Sequence, residues 1–156
     1  MKIVKNKDEE IVKYIQEKLE ENEGYCPCAL PKKPENKCMC QDFKDKIEAG
    51  YIGECNCGLY KSEPSVIYLC GDRRYKKDFL YWHEKFSKDG IITIMLPFNS
   101  DEMLTKTLKN LHYQMMTVAD CIFVIDKFGS VTEELDKDLK KFKGIKRILY
   151  ASETED

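Results

Sequence analysis

The sequence has no run of about 18 apolar residues, which excludes a membrane-crossing helix on hydropathy. Its opening, Met-Lys-Ile-Val-Lys-Asn-Lys-Asp-Glu-Glu, has no apolar core of the kind that directs secretion, so a cytoplasmic protein is the expectation. Nor is there an excess of basic charge. The 26 Lys+Arg face 28 Asp+Glu, and neither half is basic enough to suggest a nucleic-acid partner. Internal repeats and low-complexity tracts are missing too. What is there, 42% hydrophobic residues in 156, is enough for a packed core and excludes wholesale disorder. That length allows one ordinary domain or two small ones.

Apolar periodicity divides the chain in two. Residues 8–21 read as a helix, with Ile11, Tyr14, Ile15 and Leu19 as its stripe and Asp8, Glu9 and Glu10 at its positive end. Gly24 stops it. Residues 25–60 have no sustained period apart from a short helical candidate at 40–48, and three prolines and three glycines interrupt them. Residues 61–65, Lys-Ser-Glu-Pro-Ser, read as a linker. Beyond it strands and helices alternate: strands at 66–70, 91–96, 121–126 and 146–150, and helices at 74–88, 102–116 and 131–142. The strands are continuously apolar, the pattern of a buried parallel sheet with right-handed crossovers. Residues 151–156 read as a polar tail.

Cysteine is the departure from ordinary composition. Of eight, six fall in Cys26-Pro27-Cys28, Cys38-Met39-Cys40 and Cys55-Asn56-Cys57. In a reducing compartment dense cysteine points to metal or redox chemistry rather than to structural disulfides. Spacing of two suits adjacent ligands of one site and suits a disulfide within the pair poorly. A segment this poor in large aliphatics needs a staple, and the cysteines can provide it. A four-iron cluster takes four thiolates and so does a mononuclear zinc, so two thiols are left over either way. Beside a cluster the spare thiols have a natural use as a redox pair; beside zinc they have no evident task.

Residues 8–62 resemble the catalytic subunit of ferredoxin:thioredoxin reductase, whose signature is three Cys-x-Cys pairs beginning with Cys-Pro-Cys. The resemblance implies a [4Fe–4S] cluster held by Cys26, Cys38, Cys40 and Cys55. It implies a redox disulfide between Cys28 and Cys57, with Cys28 attacking the target and Cys57 staying on the cluster side. The implied partners are a ferredoxin-like donor and a thioredoxin-like or other disulfide protein. The loops between the pairs differ in length from the chloroplast type, the first shorter and the second longer. Asn56 stands where the family has a histidine thought to assist proton transfer, and asparagine does not titrate near pH 7.

Residues 66–150 are similar to the nucleoside 2-deoxyribosyltransferase-like proteins, through Leu69-Cys70-Gly71-Asp72-Arg73, Ala119 to Ile125, and Gly129 into the last helix. Ligands of such sheets bind beyond the carboxyl ends of the strands, here 71–74, 97–99 and 126–130. Gly71 permits close backbone approach and Arg73 can grip a phosphate or carboxylate. The resemblance implies a nucleotide-like ligand. The family's catalytic glutamate falls at Leu135 or Asp136, beside Glu133 and Glu134, so no single residue takes its role. Cys70 and Cys121 read as small buried hydrophobes. Trp82 reads as core, His83 as helix surface, and Glu133 and Glu134 as first-turn acids.

The expected fold is therefore α/β. A small cysteine-rich iron–sulfur segment with an N-terminal helix (residues 1–62) precedes a Rossmann-like parallel four-stranded sheet with flanking helices (63–156). The expected function is iron–sulfur disulfide reduction. The alternatives are a cluster-binding or sensing module with a nucleotide-binding α/β domain, and a nucleoside-processing enzyme with a structural metal knot.

Overall fold

A computed structural model describes residues 1–98, 106–127 and 129–154. The chain divides into two compact units, Met1–Glu63 and Pro64–Asp156. Among the described residues no helix is long and apolar enough to cross a membrane.

In the first unit β1 (Lys2–Lys5) leads into α1 (Glu9–Glu21); α2 (Gln41–Glu48), β2 (Gly53–Glu54) and β3 (Tyr60–Glu63) follow. Asp8 caps α1, its carboxylate accepting from the backbone N–H of Glu10 and Ile11 at 3.0 and 3.1 Å. The stripe that α1 turns inward is Val12, Ile15 and Leu19. Ile11 and Tyr14, expected on that face, are exposed. Val12 completes a three-and-four spacing with Ile15 and Leu19, and the two outlying residues flank it. Phe43 of α2 and Leu59 close the core with Cys26, Cys40 and Cys55.

The three strands form an antiparallel sheet in the order β1-β3-β2, which the apolar pattern does not reveal. The expected linker is in fact largely β3. Its inward residue is Ser62, fully buried, whose hydroxyl donates to the Tyr51 carbonyl at 2.6 Å and accepts from the Gly53 N–H at 3.1 Å. A buried serine satisfied by backbone partners is stable in a core but gives no apolar signal.

The second unit runs β4 (Val66–Gly71), α3 (Lys76–Lys88), β5 (Ile92–Ile94), α4 (Lys106–Val118), β6 (Cys121–Ile125), α5 (Glu133–Phe142) and β7 (Arg147–Tyr150). The strands are all parallel, in the order β5-β4-β6-β7. Every residue of β6 is buried. Tyr68, Cys70, Ile122 and Val124 pack against α4 and α5 through Met116, Leu135, Leu139 and Phe142. On the opposite face Phe123 meets Trp82 and Phe86 of α3, with ring centroids 4.6 and 5.0 Å apart. Helices therefore cover both faces. The first residues expected for the fourth helix, 102–105, lie outside the described residues.

Cys70 and Cys121 are buried strand residues and Trp82 is core, as their surroundings in the sequence suggest. His83 is not simply on the surface: it is half-buried, and its Nδ1 meets the Thr93 hydroxyl of β5. Residues 151–154 of the expected tail are structured too. Ala151 is buried, and Ser152 donates its N–H and hydroxyl to the buried Asp126 carboxylate at 3.0 and 2.6 Å.

Candidate functional site

The chain brings the three cysteine pairs together with short backbone ladders. The Cys26 N–H donates to the Asn36 carbonyl and the Cys38 N–H to the Gly24 carbonyl, at 2.9 and 3.0 Å, so the first two pairs lie on adjoining segments. Cys40 is the N-cap residue of α2, which places the second pair at the start of that helix. The third pair sits on a tight turn before β3. There the Cys55 N–H donates to the Tyr60 carbonyl at 2.8 Å and the Gly58 N–H to the Cys55 carbonyl at 2.9 Å. Gly58 has a φ of +77°, which only glycine adopts cheaply.

Exposure sorts the six thiols. Cys26, Cys40 and Cys55 are buried, Cys38 and Cys57 half-buried, and Cys28 exposed. Cys55 Sγ accepts the Tyr60 backbone N–H at 3.2 Å and lies 3.5 Å from Cys57 Sγ. Cys28 Sγ donates to the Asn56 carbonyl at 3.6 Å, reaching the third pair from the first. Loss of solvent pushes the Cys28, Cys38 and Cys57 thiols above their ordinary range, and neighbouring cysteines push further. Cys26, Cys55 and Cys40 act on both Cys28 and Cys38, whereas Cys55 and Cys26 act on Cys57. These groups share one electrostatic neighbourhood in which thiolates repel one another. A bound cationic centre would relieve that repulsion.

Among the described residues no three His, Cys, Asp or Glu side chains form a ready-made group for holding a metal ion. A tetrahedral zinc at about 2.3 Å from each sulfur would need its ligands within about 4 Å of one another. The thiols are gathered, but not closed around such a point.

Asn56 is held from α2. Its amide N–H donates to Asp42 and its amide oxygen accepts from Lys46, both at 3.2 Å, and Lys46 is ion-paired with Asp42 at 2.7 Å. Sequence reasoning passed over Asp42 and Lys46. Their four-residue spacing marks them as a helix ion pair, but nothing in it points to Asn56.

In the second unit a cavity of about 480 Å³ opens at the carboxyl end of β4, where Gly71 and Arg73 were expected to matter; both line it. Added to Gly71, a Cβ would sit 2.4 Å from the Ile125 carbonyl oxygen, so glycine there serves the close approach of β4 and β6. The Arg73 guanidinium donates to the Pro97 carbonyl, while Asp72 pairs with Arg74. On the cavity wall the Tyr68 hydroxyl and His112 Nδ1 are 2.6 Å apart, and His112 Nε2 lies 3.8 Å from Asp138. Burial lowers the His112 pKa. Glu134 lines the cavity, paired with Lys109 at 2.6 Å; Glu133 and Asp136 are not part of its lining, and pair with Lys137, which is, and with Lys140. Asn99 and Phe128, at two of the expected strand ends, lie outside the described residues.

Comparison of the chain with protein-family models, with curated proteins and with solved structures gives no match.

Proposed function

We propose that the N-terminal unit is an iron–sulfur disulfide reductase resembling ferredoxin:thioredoxin reductase, with Cys26, Cys38, Cys40 and Cys55 as ligands of a [4Fe–4S] cluster. The observation that carries this reading is the sorting of the thiols. Three of the four ligand candidates are buried, the attacking candidate Cys28 is exposed, and Cys57 lies against Cys55. The donor set fits the group chemically: four thiols, one of them accepting a backbone N–H of the kind that tunes cluster sulfurs. Each thiolate of such a cluster binds its own iron, so the ligands need not crowd one point as they do around zinc. When bound, the cluster supplies electrons one at a time.

The chain's own residues do the rest. Two electrons from a ferredoxin-like donor and two protons open the Cys28–Cys57 disulfide to two thiols. Cys28, as the thiolate, attacks one sulfur of a disulfide on a thioredoxin-like or other protein, and the other target sulfur leaves and takes up the proton. Cys57 then attacks Cys28. The second target sulfur leaves as a thiol, and the Cys28–Cys57 disulfide is restored. Asn56 moves no proton in this scheme; its carbonyl orients the Cys28 thiol.

The test is anaerobic purification with iron, sulfide and zinc analysis and an absorption spectrum. About four iron and four sulfide per chain, with a broad band near 400 nm, are expected. Cys28→Ser should keep the iron and lose reduction of target disulfides. One zinc and no sulfide, in protein made where clusters assemble, would overturn the reading.

A second reading is favoured by the cavity at the carboxyl end of β4. The C-terminal unit would take a nucleotide-like ligand there, making the chain a cluster-binding or sensing module. Nucleoside processing is the weaker form of it. Leu135 carries no acid and Asp136 is outside the cavity lining, and release of free base from added nucleosides is what it requires.

A further inference from the structure

We infer that Asp42 and Lys46 of α2 are positioning residues for the redox pair, gripping Asn56 so that the turn carrying Cys57 stays in register with Cys28. This rests on the reading of Cys28 and Cys57 as a redox pair.

Three groups, the Asp42 carboxylate, the Lys46 ammonium and the Asn56 amide, form a closed ring in which each touches the other two. An amide has one donor end and one acceptor end. Only one orientation satisfies both partners, with the oxygen on the ammonium and the nitrogen on the carboxylate. A single hydrogen bond would let the amide swing; two at opposite ends fix its plane. Asp42 and Lys46 are one helical turn apart on the same face, which makes the two-point grip available from a rigid element.

Asn56 lies between Cys55 and Cys57 at the tip of an exposed turn. Its side chain is anchored to α2, and its backbone carbonyl accepts the Cys28 thiol. The same residue therefore ties the turn bearing Cys57 to α2 on one side and to Cys28 on the other. The N-cap of α2 is itself Cys40, a proposed cluster ligand. One short helix thus carries a ligand at its start and the grip on the redox turn along its length. Exposed ion pairs add little to global stability, so the ring's effect should fall on geometry at the pair rather than on folding.

The experiment measures how readily Cys28 and Cys57 close. The full chain, with its bound iron, is equilibrated anaerobically with reduced and oxidised glutathione. The fraction of Cys28–Cys57 disulfide is read by acid quench, alkylation and mass spectrometry. Closure takes two thiols and one oxidised glutathione to one protein disulfide and two reduced glutathiones. Lys46→Met and Asp42→Asn should each lower the effective concentration of the pair by about three- to tenfold. Lys46→Arg, which keeps the cation, should stay within about twofold of the parent. Iron content and the absorption band should be unchanged in all three, which separates lost positioning from lost folding. If Lys46→Met and Asp42→Asn both leave the equilibrium within about twofold of the parent, the positioning role is wrong while the redox pair stands. A parent that never forms the Cys28–Cys57 disulfide overturns the redox reading and the positioning role with it.

Discussion

Replacing Phe43 by alanine should strongly destabilise the N-terminal unit. Phe43 is 1% exposed and sits under the thiols, in one cluster with Ile15, Leu59, Cys26, Cys40 and Cys55. Truncating a buried phenylalanine costs about 3–5 kcal/mol in lost transfer energy and residual cavity. Domains hold about 5–15 kcal/mol in all, and short ones sit at the low end. The substitution therefore removes most of what this unit has, and its melting temperature should fall by more than about 12 °C. The chain supplies its own control. Its single tryptophan, Trp82, is packed against Phe86 and Phe123 and reports only the C-terminal unit. Far-UV circular dichroism reports α1 and α2 as well. In the variant the dichroism should lose amplitude at a temperature where Trp82 fluorescence is still native, with the buried thiols becoming reactive in the same step. Coincident transitions by both probes, within about 4 °C of the parent, would refute the claim that Phe43 holds this core.

Two further predictions concern the C-terminal unit. Gly71→Ala should destabilise it by about 2–4 kcal/mol, because φ is +149° and the new Cβ would meet the Ile125 carbonyl oxygen at 2.4 Å. A Trp82-monitored urea midpoint unchanged from the parent would sink that argument. His112 should make the unit acid-sensitive. Burial lowers its pKa, opposed in part by Asp138 and Glu134 and aided by Lys141, while the Tyr68 hydroxyl holds its Nδ1. The unfolded chain takes up the proton near pH 6.5 and the folded chain only at lower pH, so stability is full above about pH 7 and declines as pH falls through 6.5. Urea midpoints at pH 8 and pH 5 should differ less in His112→Gln than in the parent; an equal or larger difference contradicts the sign.

The parallel sheet is legible in the sequence because β4 and β6 are buried on both faces and read as unbroken apolar runs. The antiparallel sheet is not, and the reason is chemical. β1 has two apolar residues between lysines, β2 has two residues in all, and the buried residue of β3 is a serine. Hydrogen bonds to Tyr51 and Gly53 do at Ser62 what burial does at Ile67, and periodicity detects only burial. The face of α1 is ambiguous for a related reason. Ile11 is as apolar as Val12 and Tyr14 carries a large apolar ring, so only packing in the cluster with Leu59 and Phe43 selects the stripe. The cysteine site is legible as six residues because its signal is spacing along the chain. Asp42 and Lys46 are not, since they reach Asn56 across 14 and 10 residues through side-chain hydrogen bonds that leave no periodic trace.

The two kinds of cysteine in this chain show why the units differ in what they need. Cys70 and Cys121 are buried in strands among large hydrophobes and behave as one more apolar side chain. Remove their sulfurs and a full core remains around them. In the N-terminal unit three of the six buried core residues are cysteines, and only Ile15, Phe43 and Leu59 accompany them. Thiols that supply half of a core cannot also be spare. Left protonated they are small, weakly packing groups; as thiolates they would repel the Cys28 and Cys38 sulfurs beside them. Neither state holds a unit of this size well, and both difficulties vanish when the thiolates share a cationic centre. On the proposed reading, loading the cluster and folding the unit are therefore one equilibrium, whereas the parallel sheet of the other unit, with its aromatic and aliphatic layers on both faces, needs no ligand to close its core.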